Sequence, residues 1–124
     1  MAAMAVAIGG SAIAAQGGGG GSKTGEIVGY AFVNDNGNVT SNLSLNVGNG
    51  NVGVEDDIFC FRNLPFKFKG IQAVIDYRGS TSATSTTQVV KGDNNCSGTA
   101  EAEVLTVTSA GSIEAEPVFV QFYK

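Results

Sequence analysis

Residues 57–68, DIFCFRNLPFKF, hold four of the seven phenylalanines and one of the two cysteines of this 124-residue chain. In a strand, successive side chains point to opposite faces, so Phe59 and Phe61 share one face of IFCF. The proline of LPF cannot donate a backbone hydrogen bond, which predicts a corner after this strand. Beyond the corner, Phe66 and Phe68 repeat the two-residue step. The stretch therefore predicts the heaviest part of a small β-sheet core.

The sequence before this stretch alternates apolar and polar residues, as half-buried strands do. EIVGYAFV, residues 26–33, predicts one strand, and Asn36-Gly37 predicts a type I′ hairpin turn after it. VTSNLSLNV, residues 39–47, predicts the returning strand. Its apolar side chains share one face: Val39, Leu43, Leu45 and Val47. We expect an antiparallel hairpin with one buried face.

The rest of the chain also divides into short β-like stretches. GIQAVIDYR (70–78) predicts a strand, STSATSTTQVV (80–90) an edge strand or long exposed strand, and TAEAEVLTVTS (99–109) and EPVFVQFYK (116–124) a final pair around the loop AGSIEA. About seven short strands separated by turn signals predict an all-β fold, a single antiparallel β-sandwich. In the last strand Val118, Val120 and Phe122 share one face, so we expect this strand to be an integral part of the core.

The chain is predicted to have three parts. Residues 1–16, MAAMAVAIGGSAIAAQ, form an apolar leader with small residues like those of a signal-peptide cleavage site, although no Lys or Arg precedes it. The leader has about 15 apolar or small residues, fewer than the roughly 20 of a membrane-spanning helix. Residues 17–25 form a Gly-rich linker, and residues 26–124 the β-sandwich domain. The alternatives for the leader are a disordered Ala-rich segment and an apolar segment that completes a neighbour's sheet.

Composition limits the chemistry of the domain. In an exported small domain an even cysteine count predicts a disulfide, here Cys60–Cys96, and two thiols without histidine cannot complete a zinc site. Because the chain has no His, the usual general base near neutral pH is missing, and we expect neither an enzyme nor a cofactor. A net charge of −4 with seven scattered Lys and Arg argues against nucleic acid as a partner.

Two groups of residues are candidate binding sites. The first is a cationic and aromatic strip that stacks on a sugar or polymer: Phe66, Lys67, Phe68 and Lys69. The alternative is that its rings fill a core that lacks Trp. The second is an acidic run beside an Asn-rich loop: Glu55, Asp56 and Asp57. Calcium sites need six or more converging oxygens, and the EF-hand spacing is absent here, so an ordinary turn is the favoured interpretation.

Four features recur together along the chain: GGSAIAA at 9–15, Phe59-Cys60-Phe61 with Leu64-Pro65-Phe66, Cys96, and Val118-Phe119-Val120-Gln121-Phe122. They resemble the leader, the YCF–LPF core motif, the second cysteine and the C-terminal F-V-x-F strand of a family of small secreted bacterial domains that are frequent in actinobacteria and have no assigned activity. The resemblance implies export, a β-sandwich and a disulfide, and it implies no activity.

These observations lead to three hypotheses of function. The first is a secreted, non-enzymatic β-sandwich with a structural or adhesive role at the cell surface, whose partner is a cell-surface polymer. The second is a self-assembling subunit of an extracellular fibre or pilus-like filament that uses the apolar N-terminal segment as a donor element. The third, a hydrolase working with Asp or Ser, ranks last because so short a chain has little material for a catalytic cleft.

Overall fold

The computed structural model describes residues 25–76, 78 and 85–124, so the leader and all of the linker except Gly25 lie outside the described residues. Within this part the chain is all-β, and the predicted seven-stranded antiparallel sandwich is confirmed. The strands are β1 (Ile27–Val33), β2 (Val52–Glu55), β3 (Ile58–Phe61), β4 (Gly70–Ile75), β5 (Thr86–Lys91), β6 (Ala102–Val107) and β7 (Val118–Tyr123). One sheet has the order β1-β7-β4 and the other β2-β3-β6-β5.

The C-terminal strand β7 lies at the centre of the three-stranded sheet, where it pairs with β1 on one side and β4 on the other. Its inward side chains, Val118, Val120 and Phe122, are completely buried. They pack against Phe59 and Phe61 of the opposite sheet in one hydrophobic core. The prediction of an integral, core-packed last strand is confirmed.

All four side chains of β3 are buried, because both faces of its sheet are covered. Phe59 and Phe61 point into the main core. On the other face Ile58 and Cys60 pack in a second cluster with Cys96, which belongs to the loop that follows β5. The predicted Cys60–Cys96 disulfide is present, with the two Cα atoms 6.1 Å apart. It holds this loop over the outer face of the four-stranded sheet.

The Ser/Thr-rich stretch 80–90 forms the edge strand β5 from Thr86 onward, as predicted, and residues 80–84 lie outside the described residues. The Thr87 hydroxyl donates a hydrogen bond to the Ala73 carbonyl of β4, 2.7 Å away. This bond joins the edges of the two sheets.

The predicted strand 39–47 is wrong. Residues Ser41–Leu43 form a 3₁₀ turn, and the segment meets β1 only through two isolated bridges, at Val39 and Leu45. Asn side chains take the place of a continuous backbone ladder. The Asn49 carboxamide accepts a hydrogen bond from the Val39 N–H, and the Asn46 carboxamide donates one to the Val28 carbonyl of β1. Asn side chains compete with sheet pairing in this way because they mimic backbone groups.

The predicted pairing of the last two strands is also wrong, because β6 and β7 lie in different sheets. Before the chain crosses over, it folds back onto β6 through an isolated bridge between Val107 and Ile113. The buried Thr106 hydroxyl then accepts from the Glu116 N–H at 3.1 Å and donates to the Glu114 carbonyl. These bonds occupy the Glu114 carbonyl and the Glu116 N–H, so these two groups are not available for a ladder between β6 and β7.

The type I′ turn lies elsewhere than predicted. Of Asn36 and Gly37, only the glycine has a positive φ, +86°, and the Asn34 side chain organises that turn. Between β2 and β3, in contrast, Asp56 and Asp57 have φ values of 51° and 64°. Two central residues with positive φ are the mark of a type I′ hairpin.

Replacing Asp56-Asp57 by Asn-Gly should therefore stabilise the protein. Both changes favour the left-handed conformation that the turn already has, and we expect a gain of about 0.5–1 kcal/mol in the free energy of unfolding. Thermal unfolding followed by circular dichroism should show a rise of a few degrees. Asp57→Ala is the matched control, and it should lower the melting temperature because alanine tolerates a positive φ poorly. Equal melting temperatures for both variants would contradict the assignment of the turn.

Candidate functional site

The predicted cationic and aromatic strip lies at one side of the core. The Phe66 and Phe68 rings are half-buried, with their centroids 5.3 and 5.0 Å from that of Phe122, whereas Lys67 and Lys69 are exposed. The core interpretation of the rings therefore accounts for much of their surface. What remains exposed belongs to a groove of about 610 Å³.

This groove brings together residues that are far apart in the sequence. Its lining consists of Leu64, Pro65, Phe66, Lys67, Phe68, Lys91, Gly92 and Glu101. Lys69 is not part of the lining. The Lys91 ammonium lies 4.9 Å from the centroid of the Phe68 ring, a cation–π distance. Sequence reasoning missed Lys91, Gly92 and Glu101 because they come from β5 and the loop after it.

Structural hydrogen bonds fix the chain at Glu101 of the groove and at Lys69 beside it. The Glu101 carboxylate accepts from the Leu64 N–H at 3.0 Å, and the Glu101 N–H donates to the Phe61 carbonyl at 2.7 Å. The Lys69 N–H donates to the Tyr123 carbonyl at 2.8 Å. The groove is thus a fixed part of the scaffold, with Lys67 and Lys91 as its exposed cations.

The acidic run serves the scaffold as well. The Glu55 carboxylate accepts from the Ser97 N–H and hydroxyl, both at 2.8 Å, and pairs with Arg62 at 2.9 Å. These hydrogen bonds, first those from Ser97 and then that from Arg62, lower the pKa of Glu55. Asp56 and Asp57 form the β2–β3 turn. Across residues 25–76, 78 and 85–124 no group of three or more acidic, His or Cys side chains has a metal-binding arrangement.

Removing divalent cations should therefore leave stability unchanged. The Glu55 oxygens are already hydrogen-bonded within the protein, so calcium gains few ligands at this turn. Melting temperatures measured in EDTA and in millimolar CaCl₂ should agree. A drop of several degrees in EDTA that calcium restores would show that the run binds the ion.

A second surface stands out on the three-stranded sheet. The strand register places nine residues in a three-by-three array on its outer side, which we call the outer aromatic face. Its three rows are Phe32–Phe119–Val74, Tyr30–Gln121–Gln72 and Ile27–Tyr123–Gly70. Leu45, which is 42% exposed, extends the middle row beside Tyr30. The inward residues of the same strands form the core, so the array is set on a rigid support.

The rings of this face contact one another but remain partly exposed. The Phe119 centroid lies 4.5 Å from that of Phe32 and 6.0 Å from that of Tyr30. At the other end of the face the Tyr123 ring covers Gly70, where an added Cβ would approach Cδ2 of that ring to 2.9 Å. A side chain at position 70 would displace this ring.

The polar groups of the face are neutral. The Tyr123 hydroxyl donates to the Gln72 carboxamide oxygen, and burial raises the pKa of this phenol, which keeps it protonated. The Gln72 amide NH₂ and the whole Gln121 carboxamide make no hydrogen bond to the part of the chain that the structure describes. Two adjacent carboxamides thus lie between two aromatic regions, with donors and acceptors available.

The Arg78 side chain contacts the face at Phe32. The Arg78 guanidinium carbon lies 5.0 Å from the centroid of the Phe32 ring. Its Nε and Nη2 donate to the two Asp76 carboxylate oxygens, each at 3.1 Å, and these bonds raise the pKa of Arg78. The positive charge at this border is therefore neutralised by its neighbour.

The sequence predicts Val118, Val120 and Phe122 as the core face of the last strand, which leaves the alternate residues Phe119, Gln121 and Tyr123 on the opposite face, and the structure confirms this. Sequence reasoning missed that Tyr30, Phe32 and Gln72 lie beside them, since alternation fixes the face of each strand but not which strands are neighbours.

Comparisons with protein-family models, curated proteins and solved structures found no match to this chain. Of the residues described, none lies in a helix long and apolar enough to cross a membrane. The resemblance to the family of secreted bacterial domains stays a hypothesis, and function has to be argued from the two surfaces themselves.

Proposed function

We propose that the protein is a secreted, non-enzymatic β-sandwich with an adhesive role at the cell surface. The observation that carries this proposal is the outer aromatic face, since partly exposed aromatic rings clustered on a rigid sheet are suited to binding and are uncommon on surfaces that only meet solvent. A cell-surface polymer is the partner that fits an extended, flat array of this kind.

The disulfide supports secretion. Such bonds persist in oxidising compartments and are rare in the cytosol. Cys60–Cys96 holds the loop after β5 against the four-stranded sheet, so the scaffold depends on an environment in which the bond survives. The apolar leader of residues 1–16 agrees with export, although it lies outside the described residues.

A non-enzymatic role is supported by how the carboxylates are used. Glu55 and Glu103 accept hydrogen bonds from neighbouring backbone N–H groups, and these bonds lower the pKa of each carboxyl. General acid catalysis by a carboxyl group near neutral pH needs a raised pKa, the opposite of what these surroundings produce.

Adsorption to isolated cell envelopes tests the proposal. The purified full-length protein is incubated with envelopes of the producing cells, and the bound fraction is measured after centrifugation over a range of protein concentrations. We expect saturable binding that persists at 0.5 M NaCl, because the face is uncharged. A folded protein that stays entirely in the supernatant would rule out the adhesive role.

One observation favours a second candidate function, a fibre subunit. Strand β5 has a ladder partner, β6, on one side only, and its other edge is joined to β4 by the Thr87 side chain and not by a backbone ladder. A donor strand from another molecule would pair with this edge by displacing that side-chain bond. Mass spectrometry distinguishes the two candidates: an intact Met1 in assembled material, together with filaments in electron micrographs, favours the fibre, whereas a chain that begins near Gln16 and stays monomeric favours the adhesive domain.

A further inference from the structure

We infer that the outer aromatic face binds an extended, uncharged polysaccharide. The inference rests on the proposed adhesive function and specifies its ligand. Three features of the face lead to it: two separated aromatic regions, a pair of carboxamides between them, and an array without charge.

The aromatic regions are too far apart for a single sugar ring. Phe119 and Tyr123 are four residues apart on β7, which corresponds to about 13 Å along the strand at its usual rise. The apolar C–H face of a sugar ring stacks on an aromatic face in the way that other flat apolar groups do. A ligand that uses both regions must therefore be an oligomer that runs along the strand.

The carboxamides select against a purely apolar partner. Gln72 and Gln121 are direct cross-strand neighbours in the middle row, so any molecule that covers both aromatic regions also covers them. A buried carboxamide without a partner costs about 1–3 kcal/mol. Sugar hydroxyl groups donate and accept, and they match the Gln72 NH₂ and the Gln121 carboxamide, neither of which is hydrogen-bonded within the described part of the chain.

The charges on and around the face favour a neutral polymer over an acidic one as the ligand. None of the nine residues of the face is Asp, Glu, Lys or Arg, and Arg78, the cation that contacts Phe32, is paired with Asp76. The protein as a whole carries a net charge of −4. An anionic polymer would find no free cation on the face and would be repelled at long range. The exposed Lys67 and Lys91 lie in the groove beside Phe68, in a different place.

The experiment is affinity electrophoresis of the full-length protein in native gels. The gels contain neutral polysaccharides (hydroxyethyl cellulose, arabinoxylan, glucomannan or soluble starch), an anionic one (polygalacturonate), or none. We expect at least one neutral polysaccharide to retard the protein and polygalacturonate to leave its mobility unchanged. Dissociation constants follow from mobility against polysaccharide concentration.

Two variants locate the site. Tyr30→Ala removes one ring and Gln121→Ala removes the unpaired carboxamide, and each should weaken retardation about tenfold, as expected for the loss of about 1.4 kcal/mol of stacking or hydrogen bonding. Gln88→Ala is the matched control, since this exposed glutamine lies on β5 in the other sheet and its loss should change nothing. Circular dichroism checks that all variants fold as the wild type does.

The outcomes separate the inference from the function on which it rests. Envelope binding that Tyr30→Ala and Gln121→Ala leave intact would overturn the assignment of the face and spare the adhesive role. Retardation by polygalacturonate alone, or by none of the neutral polysaccharides, would overturn the ligand class. Self-association in sedimentation that Tyr30→Ala abolishes would also overturn the ligand class, because a second copy of the chain would then occupy the face. A protein that binds neither envelopes nor polysaccharides contradicts both proposals.

Discussion

Deletion of residues 117–124 should leave a chain that does not fold cooperatively. The deletion removes β7, which supplies the ladder partner of both β1 and β4, so the three-stranded sheet loses its centre. It also removes three completely buried side chains, Val118, Val120 and Phe122, from the core. Large-to-small changes at single sites of this kind cost about 2–5 kcal/mol each, and a small domain has about 5–15 kcal/mol in total.

Thermal and urea unfolding of the purified chain, together with size-exclusion chromatography, measure the effect. We expect no cooperative transition and a strong tendency to aggregate, since the edges of β1 and β4 become unpaired. Deletion of Lys124 alone is the control. It removes two backbone hydrogen bonds beyond the strand, to Gly25 and Glu26, and should lower stability only slightly. A truncated chain that is monomeric and melts near the full-length temperature would contradict the central place of β7.

The deletion bears on how much of the fold the sequence determines. The period-two pattern of VFVQFY placed Val118, Val120 and Phe122 in the core correctly, because burial follows directly from which side chains share a face. The same reasoning failed for residues 39–47, whose apolar positions alternate as well. There the Asn46 and Asn49 side chains bond to backbone groups, and this competition depends on neighbours that the pattern does not contain.

The two candidate sites also differ in how far the sequence predicts them, because one depends on neighbours along the chain and the other on strand order. The strip at residues 66–69 was visible because its members are adjacent in the chain, yet the structure turns its two rings towards Phe122 and excludes Lys69 from the groove. The outer aromatic face was not visible, since it requires that β7 lie between β1 and β4. Strand order in a sandwich is set by long-range packing, and short sequence signals do not encode it.

The second large loss of stability is expected on substitution of Glu103, a residue that the sequence analysis did not single out. Its side chain is completely buried behind the disulfide loop, on β6 directly opposite Cys60. Its carboxylate accepts from the backbone N–H groups of Asn94, Asn95 and Cys96 at 2.6, 2.6 and 2.9 Å, and from the Asn95 amide at 3.0 Å. Burial raises the pKa of this carboxyl, but the hydrogen bonds together outweigh burial and leave the pKa lowered.

Glu103→Gln should lower the free energy of unfolding by about 3–5 kcal/mol at pH 7, because hydrogen bonds to a charged acceptor contribute about 1.5–3 kcal/mol each and the amide group turns a donor towards donors. Glu101→Gln is the matched control. Its carboxylate accepts one backbone N–H, from Leu64, which an amide oxygen also accepts, so the loss should be small. Urea unfolding at constant pH measures both variants.

The pH dependence of this loss tests its cause. A carboxyl whose pKa is lower in the folded protein than the ordinary value of 4.5 stabilises the fold fully above that value, and the stabilisation is lost as the pH falls through the folded pKa. The difference between wild type and Glu103→Gln should therefore be constant from pH 6 to 8 and shrink below about pH 4.5. Glu55 also has a lowered pKa, but it titrates in both proteins and cancels in the difference. A difference that stays the same down to pH 2.5 would mean that the variant loses packing rather than the charge of the carboxylate.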